Sequence, residues 1–221
     1  MSPSTFAFKD CALIPIAIGK KALTLKEFWD HLLWVDVNSI YNHFWGALLQ
    51  PRFEEREYNN DFASWARHGL HDAKLAERLA VIDPTDYPEL EDLRQKVIEV
   101  VEERLEESEY LQWVRASQQF EFLRSQIVVF DTKIRIQEPE KLAEVIPHLP
   151  PSSIFYHFID ARRRLEDRGD DFRFWLGSFG ERYGDLCMML AEIDPYFGSL
   201  LELRQQLAEL FQHYFAGETH A

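Results

Sequence analysis

Two histidines and the polar residues near them are the side chains in this sequence that could form a chemical site. His43 and His157 each lie between aromatic residues, in the words Ser-Ile-Tyr-Asn-His-Phe and Ser-Ile-Phe-Tyr-His-Phe. An imidazole titrates near neutral pH, so it can bind a ligand or transfer a proton. Because aromatic neighbours indicate a buried face, a structural role is the alternative, in which a carbonyl or carboxylate satisfies each imidazole.

Both histidines belong to a longer internal repeat. Further pairs of similar words follow in the same order and at nearly constant spacing, and a Phe-x-Phe pair precedes each series. The paired polar positions, with one tryptophan pair, are Ser39 and Ser153, His43 and His157, Asp61 and Asp171, Trp65 and Trp175, Asp83 and Asp194, Arg94 and Arg204, and Gln95 and Gln205. Such self-similarity predicts two tandem copies of one unit, residues 1–109 and 110–221, which we expect to pack as a single compact body.

The repeated residues supply the candidate ligand-binding set, which is His43, His157, Asp61, Asp171, Trp65, Trp175, Arg94 and Arg204. Most of them have a structural alternative. An aspartate at a helix start can cap that helix, and an arginine on the last helix of a copy can close an ion pair with an aspartate of its own copy. The same arginine could also bind an anion.

Patterns of known catalytic centres find little support. His43, His71-Asp72 and Asp83 or Asp86 follow the His…His-Asp…Asp order of helical metal-dependent phosphohydrolases, but the second copy has no matching His-Asp pair. The sequence contains neither a Gly-x-Ser-x-Gly word nor a glycine-rich phosphate loop. We therefore expect no catalytic residues, no metal and no cofactor, and we favour a protein that is not an enzyme.

The charge balance argues against polyanionic partners. The chain carries 24 basic and 38 acidic residues and a formal net charge of −14. Binding to nucleic acid or to an anionic membrane requires concentrated cations. The one basic cluster, Arg162-Arg163-Arg164, is followed at once by acidic residues, which predicts a solvated helix face. We expect a protein partner or a small polar ligand, no nucleic acid, no membrane and a cytoplasmic location; the oligomeric state stays open.

Helix-capping words and β-branched runs predict the elements. Thr24 and Glu27 form a capping box, and long last helices are expected near 88–107 and 197–215. Short strands are expected at 126–130 and 133–136, with a weaker one at 14–18 that contains Pro15. The expected fold class is mostly α with a minor β element, as two tandem homologous helical modules packed about a pseudo-two-fold axis.

The words Ser39-Ile40-Tyr41-Asn42-His43 and Asn60-Asp61-Phe62-Ala63-Ser64-Trp65, with Leu-Ala-x-Ile-Asp-Pro, resemble a bacterial and archaeal family of unknown function, unknown-function family 5752. The resemblance covers the whole chain as two copies and brings no assigned activity. It implies an association with saccharide-handling enzymes.

These observations predict a binding, interaction or regulatory module without an evident catalytic set. One alternative is a small-molecule sensor or enzyme with a site between the copies that contains His43 and His157. Another is an accessory protein to a carbohydrate-metabolising enzyme.

Overall fold

Two long strands run through the fold. The computed structural model describes residues 5–50 and 57–218. Strand β1 covers Phe6–Thr24 and β2 covers Arg115–Ile136, and the two pair as a two-stranded sheet. The hydroxyl of Thr132 donates to the Phe8 carbonyl at 2.6 Å, and Lys21 lies 3.5 Å from Glu121. Because the partner on β2 moves backwards as β1 advances, the strands are antiparallel.

Helices make up most of the remaining chain. The first set follows β1 and the second set follows β2. The helices are α1 Leu25–Leu32, α2 Val37–Trp45, α3 Asp61–His68, α4 Ala73–Ala80, α5 Leu90–Glu106, α6 Leu142–Val145, α7 Pro151–Ile154, α8 Ala161–Arg164, α9 Asp171–Gly177, α10 Gly184–Ala191 and α11 Leu200–Glu218. A π-helical turn, Phe155–Asp160, joins α7 to α8. Short 3₁₀ turns are Gly46–Leu49, Pro84–Asp86, Glu109–Gln112, Pro139–Lys141, Ile146–His148 and Gly180–Tyr183.

The described residues form two compact units. The first unit consists of residues 13–50 and 57–126, and the second unit of residues 5–12 and 127–218. Each strand is therefore shared, since β1 changes unit after Ala12 and β2 changes unit after Gln126. These boundaries differ from residues 1–109 and 110–221, the predicted copies, which describe sequence similarity and stay a prediction.

The core of the second unit contains the start of β1. Phe6 and Phe8 lie on one side of the strand, because alternate residues of a strand share a face. The Phe6 ring lies 5.4 Å from Phe172 and 5.2 Å from Trp175, both on α9. Strand β1 thus supplies the second unit with two buried phenylalanines, although the first set of helices follows β1 along the chain.

The first unit receives the corresponding pair from β2. Phe120 and Phe122 are buried there, and their rings lie 5.0 and 5.4 Å from Phe28 on α1. Phe120 also lies 5.5 Å from Phe62 on α3. Each set of helices therefore packs on the strand segment that precedes the other set.

The expected fold class is corrected by these observations. Helices hold the larger share of the chain, but the β element is major, because its strands contain 19 and 22 residues. Neither compact unit consists of one contiguous half of the chain, and the arrangement as two tandem copies stays a prediction. The short strands expected at 126–130 and 133–136 are parts of one strand. Pro15 is accommodated because both strands of a two-stranded sheet are edges.

The helix starts agree with the sequence in part. Thr24 caps α1 as predicted and accepts a hydrogen bond from the Glu27 N–H at 3.1 Å. Asp36 caps α2, and the repeated residue Ser39 lies inside that helix. Asn60 and Asp170 cap α3 and α9, so each repeated aspartate is the first helical residue and its carboxylate is not used as the cap.

Candidate functional site

His157 lies at the π-helical turn of the second unit, and its side chain is almost fully buried. Its Nδ1 lies 2.7 Å from Asp171 Oδ2, and its Nε2 accepts the Lys9 N–H at 2.8 Å. A backbone N–H can only donate, so Nε2 carries the lone pair and the proton is on Nδ1, where it faces the carboxylate. The imidazole is therefore a neutral link between α9 and β1.

His43 has the same arrangement in the first unit. Its Nδ1 lies 2.9 Å from Asp61 Oδ2, and its Nε2 accepts the Leu123 N–H at 3.1 Å. Both nitrogens of each histidine are thus engaged, and every bond stays within one unit. An imidazole in this state has no free nitrogen with which to ligate a metal or accept a proton from a substrate.

Asp171 belongs to a larger charged network. Arg164 donates from Nη2 to Asp171 at 3.0 Å and from Nε to Asp160 at 2.9 Å. Arg164 Nη2 also donates to the Tyr156 carbonyl at 2.9 Å, and the guanidinium lies 4.1 Å from the Tyr156 ring centre. Asp160 is fully buried and also bonds Arg163 at 3.1 Å. The guanidinium of Arg164 is thereby held in one orientation.

The environment shifts the ionisation of this network. Burial opposes the charged form of Asp171, but the hydrogen bonds from His157 and Arg164 outweigh burial and hold the pKa of that carboxyl below its usual value. Burial raises the pKa of the Tyr156 hydroxyl. Asp171 is therefore ionised at neutral pH, and Tyr156 remains a hydrogen-bond donor.

A cavity of about 530 Å³ opens beside this network in the second unit. Its volume falls in the range of small-molecule sites. Its walls combine aromatic rings, a few charged groups and small residues at the end of α9. The lining residues are Thr5, Phe6, Ala7, Lys9, Tyr156, His157, Arg164, Asp171, Phe174, Trp175, Gly177 and Ser178.

Three members of the predicted candidate set, His157, Asp171 and Trp175, line this cavity. Their counterparts His43, Asp61 and Trp65 lie in the first unit, where the Trp65 indole donates to the Gln118 carbonyl at 2.7 Å. Gly69 packs so closely on Trp65 that a Cβ at residue 69 would lie 2.5 Å from the indole.

The repeated arginines lie elsewhere and bind backbone. Arg94 donates to the Val35 carbonyl at 3.0 Å and to Glu91 at 2.6 Å. Arg204 donates to the Leu149 carbonyl at 2.8 Å. The carbonyls of Val35 and Leu149 lie just after helical turns, where the backbone of the turn offers no N–H to them. The guanidinium groups supply the missing hydrogen-bond donors. The expected ion pair with an aspartate of the same copy is replaced by these contacts.

Four of the cavity residues that were not among the predicted candidates are Lys9, Tyr156, Arg164 and Phe174. The positions that correspond to Lys9, Tyr156 and Phe174 in the other copy hold residues of other types. Comparison of the two copies therefore does not identify these three residues. Arg164 was interpreted as part of a solvated face. Its partners are Asp160 and Asp171, on either side of it in sequence, and about a third of its side chain is exposed.

Within residues 5–50 and 57–218, no helix has both the length and the apolar character needed to cross a membrane. In the same ranges, no group of three or more His, Cys, Asp or Glu side chains is arranged to hold a metal ion.

The two sets of helices, the shared two-stranded sheet and the cavity with aromatic and charged residues in its walls define an α+β protein with a small-molecule-sized pocket. Comparison with protein families places the chain among proteins whose activity is not assigned: it belongs to the family of unknown function DUF5752, whose sequence profile matches residues 3–212.

The same fold occurs in a solved structure, described as the structure of OrfY from Thermoproteus tenax. The two chains share 22% sequence identity with a TM-score of 0.80, and the match covers 96% of this chain and 97% of OrfY. At this identity the likeness concerns the fold alone. No curated protein matches the sequence significantly.

Proposed function

We propose that this protein is a ligand-binding module and that its binding site is the cavity beside His157. The observation that carries the proposal is the composition of that cavity. Three charged residues, Lys9, Arg164 and Asp171, line a space of about 530 Å³ whose walls also contain aromatic residues. A few polar groups in an otherwise aromatic wall are typical of sites that orient a small polar molecule.

The histidines have a bracing role in this proposal. Each one joins the start of a helix to a strand through two hydrogen bonds, and each is nearly inaccessible to solvent. Because both nitrogens of His157 are engaged, a ligand in the cavity of the second unit meets no free nitrogen of that ring. Binding without covalent chemistry therefore agrees best with this geometry.

We also infer that the chain consists of two tandem copies of an ancestral unit. The matching bonds of His43 and His157, to Asp61 and Asp171 and to β2 and β1, support this inference. The copies have since diverged at the cavity. In the first copy, Asn42 corresponds to Tyr156 and Ser64 corresponds to Phe174.

A substitution that fills the cavity tests the proposed site. Gly177 lines the cavity, and a Cβ built on Gly177 meets no atom within 4 Å, so Gly177→Phe adds a ring at the cavity wall without a clash at Cβ. Gly184 is equally open and does not line the cavity, which makes Gly184→Phe the matched control. The experiment is a ligand-observed NMR and thermal-shift screen of sugars, nucleotides, amino acids and organic acids.

We expect at least one class of small polar compound to bind the wild type and the Gly184→Phe variant and to lose binding to Gly177→Phe. If no compound binds, or if every compound that binds does so equally well to Gly177→Phe, the cavity is not a ligand site and the proposal is wrong.

A further inference from the structure

The cavity walls contain more positive than negative charge, in a chain whose overall charge is −14. Lys9 and Arg164 line the cavity together with a single carboxylate, Asp171. That carboxylate already accepts hydrogen bonds from His157 and Arg164 through Oδ2. Lys9 is exposed, and no described residue forms an ion pair with its ammonium group. A cation without a protein counter-ion at the rim of a cavity is available to a ligand.

Arg164 is also positioned to bind an anionic group of a ligand. Its Nε and Nη2 bond Asp160, Asp171 and the Tyr156 carbonyl, and Nη1 makes no hydrogen bond to any residue in the described ranges. Stacking on the Tyr156 ring fixes the plane of the guanidinium. A fixed guanidinium loses little conformational freedom when a ligand oxygen binds to it, so its remaining N–H groups are well suited to a carboxylate or phosphate.

Phe174 supplies the apolar part of the site. It lies on α9 and lines the cavity, yet 64% of its surface is exposed. A large aromatic ring is usually buried when the fold needs it for stability. Phe174 shares the cavity lining with the cationic residues Lys9 and Arg164, and its exposed ring offers a flat surface to the body of a bound molecule.

We propose that the cavity binds a small molecule through an oxyanion, a phosphate or a carboxylate, which Lys9 and Arg164 contact while Phe174 packs on the organic part of the ligand. This inference rests on the proposed function, because it names the chemical class of the ligand for the same cavity. Asp171 holds Arg164 in place, and its carboxylate offsets part of the positive charge in the cavity wall. We therefore expect the cavity to bind an anionic ligand with moderate affinity.

A set of one-ring probes separates the charge requirement from the ring requirement. Phenyl phosphate and benzoate carry the two oxyanions, benzyl alcohol is neutral, benzylamine is cationic, and inorganic phosphate has no ring. Affinities are measured by ligand-observed NMR titration at constant ionic strength. Lys9→Gln removes the ammonium group and leaves the backbone N–H that bonds His157. Lys20→Gln, at an exposed position on the same strand, is the matched control.

We expect phenyl phosphate or benzoate to bind at least tenfold more tightly than benzyl alcohol or benzylamine. Whichever of phenyl phosphate and benzoate binds more tightly shows whether the cavity prefers a phosphate or a carboxylate. Lys9→Gln should weaken the binding of that probe about fivefold, which is the size expected for a partly exposed ion pair. Phe174→Ala should weaken phenyl phosphate but not inorganic phosphate, and Lys20→Gln should change neither.

Two failures are distinguishable. If neutral or cationic probes bind as well as the anions, and Gly177→Phe abolishes their binding while Lys9→Gln does not alter it, the cavity is a ligand site but the oxyanion inference is wrong. If Gly177→Phe leaves the binding of every probe unchanged, both the oxyanion inference and the proposed function are wrong.

Discussion

The backbone N–H of Lys9 donates to Nε2 of His157 at 2.8 Å, a hydrogen bond between residues 148 positions apart in the sequence. The bond fixes the start of β1 to the second set of helices. Because the other ring nitrogen faces Asp171, one imidazole joins a strand, a helical turn and a charged network. The histidine that sequence analysis selects for its chemistry is thus central to the architecture of the second unit.

Replacement of His157 by alanine should lower the free energy of unfolding by about 2–4 kcal/mol, because it leaves the Lys9 N–H and the Asp171 carboxylate without their buried partner. Denaturant titration measures this change. His213→Ala, at an exposed position on α11, is the control and should alter stability by less than about 0.5 kcal/mol. Equal stability of the His157 and His213 variants would contradict the bracing role.

Removal of the Phe8 ring should destabilise the second unit. Phe8 is fully buried, so Phe8→Ala should cost about 3–5 kcal/mol. Hydrogen exchange should quicken in α9, although α1 is the helix that follows Phe8 along the chain. Phe130→Ala, at a half-exposed position on β2, is the control. Faster exchange in α1 with unchanged α9 would contradict the assignment of Phe8 to the second unit.

The Asp171 carboxylate should contribute stability that depends on pH. Its pKa is lower in the folded protein than the ordinary value of 3.8, so its ionised form favours folding above that value. The contribution is lost as pH falls below 3.8 through the folded pKa. Asp171→Asn should therefore be less stable than the wild type at pH 7, by about 1–3 kcal/mol.

The stability difference between the wild type and Asp171→Asn should shrink as the solution is acidified below about pH 3.8. Denaturation midpoints between neutral pH and pH 3 measure this difference. Asp185→Asn, at an exposed position on α10, should follow the wild-type pH profile. A difference that stays constant across this range would exclude a depressed pKa for Asp171.

Cys11 should be unreactive in the folded protein. Burial, with the charges of Asp160 and Asp10, raises the pKa of its thiol to about 12. At pH 8 only about one Cys11 side chain in 10⁴ is a thiolate, the form that reacts with disulfide reagents. Cys187 also has a raised pKa, caused first by burial, but it is less buried and should react faster.

A disulfide reagent that releases a coloured thiol measures both rates. Peptide mapping after partial labelling should find the label on Cys187, and addition of denaturant should make both thiols react at similar rates. Rapid labelling of Cys11 in the native protein would show that β1 separates from the second unit more often than its burial implies.

Sequence patterns predicted the local features of this protein better than its long-range pairing. Thr24 was correctly expected to cap α1, because capping depends on neighbouring residues. The long strands were not expected, because much of each strand is exposed and alternation between apolar and polar residues is weak. Phe6 and Phe120 are the same residue type in similar sequence contexts. Periodicity alone therefore does not decide against which set of helices each ring packs.

The cavity was only partly predictable for a related reason. Repetition identified His157, Asp171 and Trp175, since their counterparts keep the same residue types. Lys9 and Phe174 lie in the copy-specific part of the wall, and neither belongs to a recognisable motif. Their common location depends on β1 packing in the second unit, which requires knowledge of the tertiary structure.

The shared strands also set an order for events during synthesis on the ribosome. Phe6 and Phe8 leave the exit tunnel well before Phe172 and Trp175, against which Phe6 packs. The nascent chain must therefore keep an aromatic, strand-forming segment without these partners until α9 has been translated, a period in which such segments are prone to aggregate. Slow release of the final helices, or a chaperone that shields this segment, would then govern the yield of native protein.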